Sequence, residues 1–184
     1  MKKRALFFMA EGFEDAEAVI TIDLLRRAQI DVSVVGISEQ VVRGSRGMTI
    51  TTDTTLSRVN TIGDAIILPG GQPGTRNLSE SPVLLKLIHD YHHQGQLCAA
   101  ICAAPYVLYK AGVLKEHRFT CFPGTESTIH DGHFVKENVV KDKNIITSRA
   151  VGTAIDFALA CISYLTDNST ADKVAESILF QTNR

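Results

Sequence analysis

Tryptophan is absent from this chain, and its four cysteines include no C-x-x-C pair. Cys98 and Cys102 are separated by three residues, while Cys121 and Cys161 stand alone. A zinc site of the usual spacing would need a second close pair of Cys or His ligands, which the sequence does not supply. His92 and His93 are adjacent and read as a solvated helix face. His130 and His133 read as surface groups in a glycine-containing loop. No metal is therefore expected. Charge of one sign is also missing: 19 Lys and Arg face 20 Asp and Glu, for a net charge of −1. The basic pairs are too short for a nucleic-acid surface. No apolar run approaches the roughly 20 residues needed to cross a bilayer. The apolar stretch "ALFFMA" is cut short by Glu11, which argues against a secretory signal. Neither a phosphate loop nor G-x-G-x-x-G is present, so a nucleotide cofactor is disfavoured and none is expected. A cytoplasmic protein with free thiols is the expectation.

What the sequence does contain is alternation. The 184 residues, 45% of them hydrophobic, suit one domain over 1–184. Apolar runs at 4–10, 31–37, 64–71, 96–101 and 144–149 read as strands. A hairpin-like region around "MTITTD" (48–53) adds another. Helical patterns fall at about 14–28, 81–94, after 102, at 153–166, and from 169 to near 182. Ser81 can cap the second of these, with Pro82 in its first turn. Strands this apolar, alternating with helices, predict an α/β fold: a flavodoxin-like, doubly wound, mainly parallel sheet with helices on both faces.

In such a sheet, ligands bind beyond the carboxyl ends of the strands. Three loops there carry chemistry: "AEGFEDAE" after the first strand, "LPGGQPG" after the fourth and "ICAAP" after the fifth. Cys102 lies at a strand-to-helix corner, where the following helix's free amides and dipole should favour thiolate and lower its pKa. A sharp corner also projects its side chain out of the sheet. The alternative for Cys102 is a small buried core residue. Gly70 and Gly71 can expose backbone amides as an oxyanion pocket, or simply make a turn. Glu17 shares one helical stripe with Phe13, Ile20 and Leu24. Burial there would raise its pKa and leave it a protonated acid beside the thiol, able to donate a proton or a hydrogen bond. Glu11 and Glu14 read as exposed, near the helix N-terminus.

Together "RALFFMAEGFEDAEAV", "ILPGG", "AAICAAP" and "TSRAVGTAIDFALA" resemble the ThiJ/PfpI family, within the class I glutamine amidotransferase-like superfamily. The resemblance covers nearly the whole chain and is nearest to the branch of the human parkinsonism-associated protein and bacterial YajL. It implies a homodimer, a nucleophile-elbow cysteine at Cys102 and a protonated glutamate at Glu17. It also implies oxyanion-binding amides at Gly70, Gly71 and Ala103. In this branch, arginines matching Arg27 and Arg46 form an anion site across the dimer; plain surface charge is the alternative. Two departures matter. Ala103 replaces the histidine that follows the cysteine in protease-like members, which disfavours a Cys-His peptidase. Phe122 stands where some nearer members carry a histidine, so no imidazole base is assignable. Cys121 beside it either approaches Cys102 or is a buried structural thiol.

The resemblance implies glyoxalase or deglycase chemistry on methylglyoxal and its adducts, with a small carbonyl substrate. The alternative is a redox-sensing or chaperone-like stress protein that oxidises at Cys102. No feature supports thiazole or phosphate recognition.

Overall fold

A computed structural model of the chain describes residues 2–59 and 62–181. Eleven strands are present among these residues: β1 (Arg4–Met9), β2 (Asp31–Gly36), β3 (Val41–Arg43), β4 (Thr49–Thr51), β5 (Thr54–Thr55), β6 (Ala65–Leu68), β7 (Leu97–Ile101), β8 (Arg118–Phe119), β9 (His133–Phe134), β10 (Val139–Asp142) and β11 (Ile145–Ser148). The α-helices are α1 (Asp15–Arg27), α2 (Gly74–Ser79), α3 (Pro82–His93), α4 (Pro105–Lys110), α5 (Ala154–Leu165) and α6 (Asn168–Ser177). Seven strands form one sheet in the order β10-β11-β7-β6-β1-β2-β5. Only the β10–β11 pair is antiparallel.

The sheet is doubly wound because its central strands are apolar on both faces. Phe7, Ile67 and Ala99 face one side, packing with Leu25, Phe157 and Ile162 of the α1–α5–α6 layer. Leu6, Phe8, Ile66 and Leu68 face the other, against Leu84 and Ile88 of α3 and Val107 of α4. Local signals set the helix starts. Glu14 caps α1 by accepting from Glu17 N at 2.7 Å, and Ser81 caps α3 by accepting from Leu84 N at 3.3 Å. Asp167 does the same for α6, accepting from Thr170 N at 2.8 Å.

Several elements differ from the sequence expectation. The segment after Gly71 holds the short helix α2 as well as a loop. Within "MTITTD" only Thr49–Thr51 is strand, β4, which pairs antiparallel with β3, and the edge strand β5 follows the motif. The helix after Cys102 has only 6 residues. β10 escapes a hydrophobicity reading because this edge strand has only two valines, followed directly by Lys141 and Asp142. The last helix ends at Ser177, and Thr182 lies outside the described residues. No helix among the described residues is long and apolar enough to cross a membrane.

The chain runs from β1 outward to β2, then returns to place β6 on the other side of β1. That reversal opens a crevice at the carboxyl ends of β1 and β6, with β7 beside them. The three loops singled out from sequence leave these three adjacent strands.

Candidate active site

Cys102 follows β7 directly and has φ of 65°, the left-handed region that residues with a Cβ avoid. Such a conformation costs about 1–3 kcal/mol and persists only where its surroundings hold it. Here Cys102 N donates to Ser148 O at 2.9 Å, and Phe122 N donates to Cys102 O at 2.8 Å. The side chain is thereby turned out of the strand. Of the four cysteines it alone is only partly buried.

Glu17, in the first turn of α1, is completely buried. Its Oε2 accepts from Gly70 N at 2.9 Å, and its Oε1 is buried with no hydrogen-bond partner. Gly70 is what lets the acid and the thiol meet. A Cβ placed there would lie 2.5 Å from Cys102 Cβ, 3.0 Å from Cys102 Sγ and 2.9 Å from Glu17 Oε2. The expected oxyanion role of Gly70 is corrected by the same bond, because its amide is committed to the carboxyl. The amides that reach the sulfur are those of Gly71 and Ala103.

Burial pushes the Glu17 carboxyl up to about 7, against the pull of the Gly70 amide and the Cys102 contact. The expected lowering of the Cys102 thiol is also corrected. Burial, then the Glu17 charge beside it, pushes the thiol up to about 12, opposed by the Ala103 and Gly71 amides. The helix dipole does little to reverse this. α4 is short and starts at Pro105, three residues past the sulfur. Near neutral pH the titrating group of the pair is therefore the Glu17 carboxyl, while Cys102 stays a protonated thiol.

The pair opens into a cavity of about 500 Å³ whose lining includes Glu14, Arg46, Gln72, Phe122 and Val151. Glu14, half-buried rather than exposed, lines this cavity as well as capping α1. Arg46 thus borders the cavity within the chain itself. Its loop is fastened by Asp15, which accepts from Arg46 N and Met48 N at 2.8 Å each. Arg27 sits ten residues beyond Glu17, about 15 Å along the helix. It pairs with Asp23 at 2.7 Å and does not line the cavity. Cys121 is buried, and its thiol donates to Glu126 Oε2 at 3.8 Å.

The family model for the DJ-1/PfpI family matches residues 3–164. The chain belongs to the DJ-1/PfpI family. It is 38% identical to Protein dj-1beta of Drosophila melanogaster over 187 residues, covering all of both chains. The crystal structure of that fly protein superposes with a TM-score of 0.96, covering 99% of this chain and 100% of that one. A Caenorhabditis elegans relative, 36% identical over 89% of both chains, bears the name glutathione-independent glyoxalase DJR-1.2. An oxidized Toxoplasma gondii DJ-1 structure matches at 33% identity with a TM-score of 0.94, covering 98% of this chain and 100% of that one.

For this member of the DJ-1/PfpI family, sequence reasoning missed Asp15, which reads as one more acid in a helix's first turn. Its burial becomes visible only when Gly44 is seen packed against its carboxylate. His92 also departs from expectation. It is half-buried and meets His117 edge-on, ring centroids 5.2 Å apart, and burial lowers its pKa. Among the described residues, no group of three or more His, Cys, Asp or Glu side chains is placed to hold a metal ion.

Proposed function

We propose that the chain is a cysteine-dependent, cofactor-independent glyoxalase acting on methylglyoxal, with deglycase activity on its adducts, in protection against carbonyl stress. One observation carries this reading: a buried acid with an unpartnered oxygen stands beside a thiol on a strained elbow. Glu17, poised near neutrality, takes the thiol proton as Cys102 Sγ adds to the aldehyde carbon. The Gly71 and Ala103 amides receive the oxyanion of that hemithioacetal. Glu17 hands the thiol proton on to the ketone oxygen and, again a carboxylate, moves the proton of the former aldehyde carbon to the former ketone carbon, as the oxyanion collapses to the carbonyl of a lactoyl thioester. Water cleaves the thioester, releasing lactate and the thiol. One water is consumed, and no oxidant or reductant is needed. The C. elegans relative's name supports the same chemistry.

The proposal includes a homodimer in the cytoplasm, in which Arg27 would complete an anion site in the second copy. Val19 (39% exposed) and Met48 (49% exposed) leave apolar surface near Asp15 for such a contact. The test is lactate formation from methylglyoxal by wild type and Cys102→Ser. The serine variant should show none above background, and undiminished turnover would overturn the reading. A second reading, redox sensing at Cys102, is favoured by one fact: it is the thiol with access to solvent.

A further inference from the structure

On the solvent face of α3, His89 and His93 stand one helical turn apart, with Nε2 atoms 3.1 Å from each other. Both side chains are exposed. We propose that this pair is a surface two-point chelate for a divalent transition cation, a site on the helix that leads into the start of β7, whereas Cys102 follows the other end of that strand, and independent of the chemistry there.

The distance carries the argument. Metal–imidazole bonds of about 2.0–2.1 Å set two cis nitrogens about 2.9 Å apart in a square-planar site and about 3.3 Å apart in a tetrahedral one. The observed spacing falls between these, so an ion could seat with little change of either ring. Residues four apart on a helix share one face, which holds the two donors in register without loop ordering. The surroundings fit as well. A metal on Nε2 requires each neutral ring to carry its proton on Nδ1, and a carboxylate facing that position is the usual support. Asp90 Oδ1 lies 3.8 Å from His89 Nδ1, while its other oxygen holds Lys86 Nζ at 2.5 Å. His92 is turned elsewhere, toward His117. Imidazole donors suit Cu²⁺, Ni²⁺ and Zn²⁺, and the remaining coordination positions fall to solvent. This departs from the expectation of no metal. Attention to the adjacent His92–His93 hides the spacing that matters, His89-x₃-His93.

The experiment is calorimetric titration of Ni²⁺ into the protein on a Cys102→Ser background, so that the ion does not report on that thiol. One ion should bind per chain. His89→Ala or His93→Ala should each weaken binding about 100-fold, because the second donor acts at high effective concentration. Asp90→Asn should weaken it about tenfold, and His130→Ala should leave it unchanged. Equal affinity in His93→Ala would overturn the proposal. So would the absence of saturable uptake, which would reduce the contact to an imidazole–imidazole hydrogen bond.

Discussion

Replacing Glu17 by Gln separates the charge of the buried acid from its shape. The carboxyl is raised from its ordinary 4.5 to about 7. At about 1.4 kcal/mol per pKa unit, its ionised form is disfavoured in the folded protein by about 3 kcal/mol. The sign follows from linkage. The folded state holds the proton more tightly than the unfolded chain. This favourable contribution is complete below about 4.5, falls as pH rises, and is gone above about 7. Glutamine can still accept from Gly70 N but does not titrate. Urea unfolding at several pH values should therefore find wild type and Glu17→Gln nearly equal at acid pH. Above neutrality the variant should be more stable by up to about 3 kcal/mol, a midpoint shift of roughly 1–2 M for a typical urea slope. A difference that does not vary with pH would refute the reasoning. A wild type that gains stability between pH 5 and 8, and loses the gain in Cys102→Ser, would refute it differently. The sulfur would then be taking the charge.

Two other outcomes are expected. Gly70→Ala forces a methyl group between Cys102 and Glu17, so it should cost about 1–3 kcal/mol in thermal unfolding and remove most lactate formation; full activity would show that their close approach is dispensable. After mild peroxide, intact-mass and peptide analysis should find two added oxygens on Cys102 alone, since Cys98, Cys121 and Cys161 are buried; oxidation spread evenly over all four would count against redox sensing.

The sheet and the meeting of three loops were legible because both follow from long-range regularities. "AIIL" and "LCAAI" are too apolar to face water, and a parallel sheet brings the loops after them to one rim. Glu17 was legible for the same kind of reason, as a carboxylate on the stripe of Phe13 and Leu24. What the sequence concealed depends on individual atoms. Nothing in "PGG" says that the first glycine's amide serves a carboxylate and the second's serves a sulfur. The thiol's protonation is hidden because it turns on burial and on the Glu17 charge beside the sulfur, which α4, beginning late and ending after 6 residues, does little to offset. Asp15 was hidden because its partners, Arg46 N and Met48 N, lie about thirty residues away.

The three loops of the candidate site leave β1, β6 and β7, parallel neighbours locked rung by rung, Phe7 to Ile67 and Leu68 to Ala100. Sliding one of these strands past another without turning its side chains inside out requires a jump of two residues, about 6.6 Å. Register between these strands is therefore kept or lost in whole steps. A strand that lost its register would scatter all three loops at once, so damage of that kind should appear as a smaller fraction of competent molecules rather than as a uniformly slower population.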